Sequence, residues 1–162
     1  MTTETAVLGL CVGVAATVTM DVSAGASRRI GLAEGAKGRW LGRWYLGIVR
    51  GQFIHSDISV APERPGERRA ALVGHYAIGI ALAMAYVAAA DWLGVSPDEL
   101  PAAVGYGVAT CVFPWLVVFP ALGFGCFGRR GPPALRLFTS SLLNHLAYGF
   151  GLWWSSKVLP LG

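Results

Sequence analysis

Positive charge in this chain is confined to alternate connectors between apolar runs, and no other feature constrains its fold as tightly. Nine of the thirteen Lys and Arg residues fall between about Ser27 and Arg69: Arg28, Arg29, Lys37, Arg39, Arg43, Arg50, Arg64, Arg68 and Arg69. Arg129, Arg130 and Arg136 lie between two later apolar runs. The connector from Asp91 to Leu100 has no basic residue and carries Asp91, Asp98 and Glu99. Basic loops stay on the cytoplasmic side of a membrane, so this alternation marks a chain that crosses a bilayer several times.

Four runs are long enough to cross, since a span needs about 20 mostly apolar residues. They cover about residues 5–26, 70–93, 101–124 and 133–159. Pro101 and the pair Pro132 and Pro133 open the last two, at a position where a missing backbone N–H costs nothing. The expected fold is all-α and polytopic: four transmembrane helices in one domain, residues 1–162. Basic residues divide twelve to one between the two sides, Lys157 being the one. That places both basic connectors inside and both termini outside. Residues 6–20 resemble a signal-peptide core. The basic pair follows the apolar run instead of preceding it, so the segment reads as a retained first span.

Composition agrees. The 162 residues are 54% hydrophobic and 14% charged, against roughly 25% charged in soluble domains. The net charge of +4 raises nucleic acid as a partner. The basic residues flank apolar spans and form no known reader motif, so orientation and anionic lipid explain them and nucleic acid is set aside. Cys11, Cys111 and Cys126 form no C-x-x-C pair, and Cys11 and Cys111 read as small core residues.

Within the spans, small residues recur at helical spacing. Gly9 and Gly13 form a G-x-x-x-G, Gly79 and Ala83 continue a stripe from His75, and Gly149 lies one turn past His145. Such stripes let helices pack closely. Pro114 and Pro120 should kink or break the third span. The long connector contains a short helix around residues 39–50, expected to lie in the inner interface. Arg39, Arg43 and Arg50 are placed on one face to bind anionic lipid, with Trp40, Leu41, Trp44, Tyr45 and Ile48 on another.

Ionisable groups inside spans point to sites, because lipid makes them costly. Asp21 lies roughly 10 Å deep, His75 roughly 9 Å and His145 roughly 13 Å, at about 1.5 Å per residue from the nearest basic residue. Similar depth on three helices suggests one cytoplasmic-side pocket with Asp21, His75 and His145 as catalytic candidates. Two imidazoles and a carboxylate suit a divalent transition metal such as zinc, and equally a proton relay. A purely structural hydrogen-bonded set is the plain alternative, and no H-E-x-x-H or C-x-x-C motif speaks for metal. His55 and Asp57 form an H-x-D; an exposed loop histidine is the ordinary reading. With Glu67 these two are candidates for the pocket mouth. Residues 123–128 match the letters of G-x-G-x-x-G but lack the strand–turn–helix setting of a dinucleotide site and read as a helix exit.

The order of these short motifs resembles the bacterial integral-membrane family known as domain-of-unknown-function family 2938. The matching features are Met20-Asp21, Gly38-Arg39-Trp40 with Gly42-Arg43, and Gly51-x-Phe53-x-His55-x-Asp57. Pro65-Gly66-Glu67, His75-Tyr76-x-Ile78-Gly79, Pro120-x-x-Gly123-x-Gly125 and His145 with Gly149-x-Gly151 complete the set. The resemblance covers nearly the whole chain. It implies a four-helix inner-membrane protein and no activity.

Three classes of function follow. A ligand-binding protein or enzyme would bring its polar residues to one closed pocket. A transporter or channel subunit would be a homo-oligomer, because four helices rarely enclose a pathway, and would continue its polar residues into the outer half. A structural or assembly subunit would spend them on separate helix contacts.

Overall fold

The structure is a computed structural model describing residues 3–32, 35–131 and 133–159. It is all-α, with no strand among the described residues. The long helices are α1 (Thr3–Arg29), α3 (Glu67–Leu93) and α6 (Ala134–Val158). Shorter elements stand between them: α2 (Gly38–Ile48), α4 (Leu100–Ala109), a π-helical stretch Pro114–Val118 and a last turn α5 (Phe119–Ala121). Three stretches, Thr5–Arg29, Glu67–Leu93 and Leu100–Ala121, are long and apolar enough to cross a membrane. The fourth expected span is not among them. As α6 it has 25 residues, but Arg136, Ser140, Ser141, Asn144 and His145 dilute its apolar content.

The third span is interrupted where its prolines stand. Neither Pro114 nor Pro120 can donate a ladder hydrogen bond. The α-helix ends at Ala109, and the Phe119 N–H reaches Pro114 O in an i→i−5 bond. The chain then leaves through a glycine turn: Gly123, Gly125 and Gly128 all have positive φ, and Phe127 joins them at 58°.

Contacts divide the chain into two compact units. The first gathers Met1–Ala26, Tyr76–Thr110 and Leu142–Gly162. Its core holds Val12, Ala16, Ala83, Val87, Tyr148 and Leu152. Here α1 and α3 run antiparallel in close register. Gly13 packs so tightly that an added Cβ would lie 2.6 Å from Ile80 Cα. At Gly79 a Cβ would come within 2.1 Å of Thr17 Oγ1, and at Gly107 within 2.5 Å of His145 O. The stripes of small residues thus do what such stripes do: they remove side chains so that helix axes approach. Tyr148 and Tyr106 donate hydrogen bonds from their hydroxyls to Gly79 O (2.5 Å) and Leu82 O (2.8 Å) on α3.

The second unit gathers Ser27–His75 and Cys111–Ser141. It is built around Trp40, Ile58, Phe119, Leu122, Phe124 and Leu137. Trp40 meets Phe124 edge-on at 5.4 Å. Residues 55–58 cross to the end of the third span, where the His55 N–H donates to Ala121 O (2.8 Å) and the Ile58 N–H to Leu122 O (3.0 Å). The long connector is therefore an ordered part of a core. All three cysteines are free; Cys111 is buried, but Cys11 faces outward from α1 instead of into the core.

Candidate functional site

In the first unit, Asp21 is exposed on α1 and accepts a hydrogen bond from the Tyr76 hydroxyl at 3.1 Å. His145 Nδ1 lies 2.7 Å from Thr110 Oγ1. The Thr110 hydroxyl has one proton and donates it to Gly107 O at 2.6 Å. Which of the two groups donates across the Thr110–His145 contact follows from the tautomer of the ring. Asp21 and His145 belong to this unit, whereas His75, half-buried on α3, belongs to the second. Among the described residues no group of three or more His, Cys, Asp or Glu side chains is placed to hold a metal ion.

The second unit is organised by a buried charge pair. Arg43 is 3% exposed and Glu67 4%. Arg43 Nε donates to Glu67 Oε1 at 2.5 Å and Nη2 to Oε2 at 3.1 Å, a two-pronged fork. Its Nη1 donates to Ile58 O at 3.0 Å and to Ala61 O. Glu67 also accepts the Arg64 N–H at 2.7 Å. The Glu67 hydrogen bond holds the Arg43 pKa above its ordinary value even against burial. Gly42 makes this geometry reachable, since a Cβ there would sit 1.8 Å from Glu67 O.

This arrangement changes two expectations. Arg43 does not share an exposed basic face with Arg39 and Arg50; it points inward. The helical spacing was ambiguous, because Arg43 is one turn from Arg39 and also lies on the buried stripe of Trp40 and Gly47. His55, the ordinary exposed loop histidine by sequence, is 6% exposed. Its Nε2 is buried without a hydrogen-bond partner, and Nδ1 lies 3.4 Å from Gln52 Nε2. Burial first, then the nearby Arg64 and Arg43 charges, push its pKa down. Asp57 is taken up locally, accepting from the Ser59 N–H (2.8 Å) and hydroxyl (2.7 Å) in a turn.

Beside Arg43 an open cavity of about 550 Å³ is lined by Lys37, Arg39, Trp40, Arg43, Ser59 and Glu63, among others. Three cations face it, with one glutamate. The N-terminus of α2 has no side-chain cap, so the helix dipole adds to the positive potential there. Lys37 Nζ lies 5.2 Å from the centre of the Trp40 ring, and Arg39 Nη1 lies 3.2 Å from the mostly exposed Glu63 carboxylate. Lys37, Arg39 and the buried Arg43 thus line the cavity together with Ser59.

A family model described as "Protein of unknown function (DUF2938)" matches residues 10–159. The chain belongs to this family. No curated protein and no solved structure matches the chain. The family match takes in α2, the Arg43–Glu67 pair and the cavity, as well as Asp21 and His145. It carries no activity, so function has to be read from the side chains.

Of the residues singled out by sequence, His55, Asp57 and Glu67 share the second unit with the cavity. Glu67 is spent on Arg43 and His55 on the 55–58 crossing. The residues missed were Arg43 as a buried hub and Lys37 and Ser59 as cavity lining. Arg43 between two glycines and three aromatic residues was the available signal, because an arginine there has little aqueous face to occupy.

Proposed function

We propose that this protein is a four-span protein of the bacterial inner membrane, with both termini outside, that binds an anionic ligand on its basic cytoplasmic side. The observation that carries the ligand reading is the cavity at Lys37, Arg39, Arg43 and Ser59. Arg43 is held rigidly by Glu67, so its charge is in place before a ligand arrives. The four-span reading is supported by the length of α6 and by Arg136 and Lys157 at its two ends. The matching anion is a phosphate or carboxylate group. Isothermal titration of the detergent-solubilised protein with inorganic phosphate and with a short-chain phosphatidylglycerol tests it. The double variant Lys37→Ala/Arg39→Ala should weaken binding of at least one probe about tenfold or more, as loss of charge-assisted hydrogen bonds does. Identical titrations for wild type and variant would remove the reading.

The 2.7 Å contact of His145 with Thr110 supports a second reading, a membrane enzyme or proton-coupled transporter that uses the His145 imidazole to carry a proton. Proton uptake by reconstituted vesicles that is unchanged in His145→Gln would discard it.

A further inference from the structure

Three contacts set the direction of α2 beside the start of α3. Arg39 pairs with Glu63, Gly42 and Arg43 meet Glu67, and the Tyr45 ring packs on Gly74, where a Cβ would come within 2.4 Å of it. Numbers rise together on both sides, so α2 runs in the same sense as α3. After Glu67, Arg68 and Arg69, α3 continues as an apolar stretch long enough to cross a membrane. The C-terminal end of α2 therefore advances along the direction in which α3 enters its span. From Arg43 to Val49 is six residues, or roughly 9 Å of helix. The chain then turns back, and by Ile58 and Ala61 it has returned to the Arg43 guanidinium.

The tip of this hairpin is built as a segment in contact with lipid must be. Several of its backbone groups are paired internally. The N–H groups of Arg50 (2.9 Å) and Gln52 (3.0 Å) both donate to Gly47 O, and that of Gly51 to Ile48 O (2.9 Å). Trp44 Nε1 donates to Phe53 O (2.8 Å), while Arg64 reaches Leu46 O (3.3 Å) and Gln52 Oε1 (2.7 Å). Such pairing is what a non-helical segment needs at membrane depth. Three of its outward side chains are large and apolar, Val49 being 80% exposed, Phe53 60% and Ile54 75%, with exposed Arg50 and Gln52 between them.

We infer that residues 38–58 form a re-entrant hairpin that inserts the Val49/Phe53/Ile54 tip into the acyl–headgroup boundary of the leaflet on the basic side. The leaflet named rests on the proposed topology; the insertion rests on the α2–α3 register. Charge complementarity favours lipid as the occupant. Arg50 lies within the tip on a side chain long enough to return its guanidinium to the phosphates, and an anionic leaflet matches the basic connector around it.

The test uses full-length protein with its three cysteines replaced, reconstituted into phosphatidylglycerol-containing vesicles. An environment-sensitive nitrobenzoxadiazole label is placed at Ile54→Cys, at Val49→Cys and, as a reference, at Pro65→Cys. Labels at 54 and 49 should emit at shorter wavelength than the label at 65. They should be quenched by lipid nitroxides near the headgroup and be several-fold less accessible to iodide. Iodide access equal to that at 65 would overturn the insertion. Protection that disappears on diluting protein into lipid would assign the tip to a second copy and also overturn it. A membrane-impermeant maleimide on intact cells separates the two claims. Reaction at Pro65→Cys from outside would reverse the topology while leaving the depth readout intact.

Discussion

In the first unit, helices meet through absent side chains: Gly13 against Ile80, Gly79 against Thr17, Gly107 against His145 O. In the second, the contacts are made by long side chains reaching back to the main chain. Arg43 takes the carbonyls of Ile58 and Ala61, Arg64 that of Leu46, and Trp44 that of Phe53. A helix satisfies its own backbone, so two helices need only matching shape. The second unit contains turns and an extended crossing, so its carbonyls need donors from elsewhere. Shape tolerates small losses, whereas a buried charge with one partner does not.

The sharpest test of that contrast removes the partner. Glu67→Ala should destabilise the protein by about 3–5 kcal/mol, because it leaves the buried Arg43 with only the exposed Glu63 carboxylate, 3.8 Å away, as counter-charge. Arg43→Lys should not restore the wild-type melting temperature, since an ammonium cannot make the fork. Detergent-solubilised thermal unfolding reads both. A Glu67→Ala variant as stable as wild type would break the comparison.

Glycine substitutions come next. Gly42→Ala meets a backbone carbonyl and should cost about 2–3 kcal/mol with no local remedy. Gly79→Ala meets the Thr17 hydroxyl, a side chain that can be removed. It should cost less, and Thr17→Ala should recover part of the loss in a double-mutant cycle. Equal, unrescued losses would erase the distinction between backbone and side-chain contact.

Tyr148→Phe removes one hydroxyl bond to Gly79 O in an otherwise shape-packed unit. The expected loss is about 1 kcal/mol or less, measured by the same unfolding assay. The smallest effect is that of pH. His55 has its folded pKa below the unfolded value near 6.5, so the unfolded chain takes up protons first. Stability should be fully present above about pH 6.5 and decline as pH falls below it, and His55→Gln should flatten the decline. Hydrogen exchange at the His55 and Ile58 amides should report it, with Tyr148-side amides unaffected. A pH response unchanged in His55→Gln would assign it to another group.

The long helices were readable because apolar length and charge punctuation are local properties. Expected starts and stops differ from α1 and α3 by about one turn at most. Glu67 opens α3 three residues before the expected residue 70, and Arg28 and Arg29 complete the last turn of α1. The third span was read as one helix with proline trouble and is α4, a π-helical stretch and α5. The candidate site was much less readable. His55 looked like a loop residue because nothing within a few positions of it indicates burial; Ala121 and Leu122, which cover its backbone, are over sixty residues away.

The sequence by itself determined the helical class, the long apolar helices, the alternation of charge and the places where small residues bring helices together. All of these follow from the order of side chains along a helix or a connector. Only the tertiary structure decided that Arg43 turns inward, that Glu67 answers it, and that α2 runs with α3 so that residues 49–54 project at its far end. Arg43 stands one turn from both Arg39 and Trp40, so helical periodicity allowed either face. The choice was made by a carboxylate twenty-four residues away and by the missing Cβ of Gly42 that lets it approach.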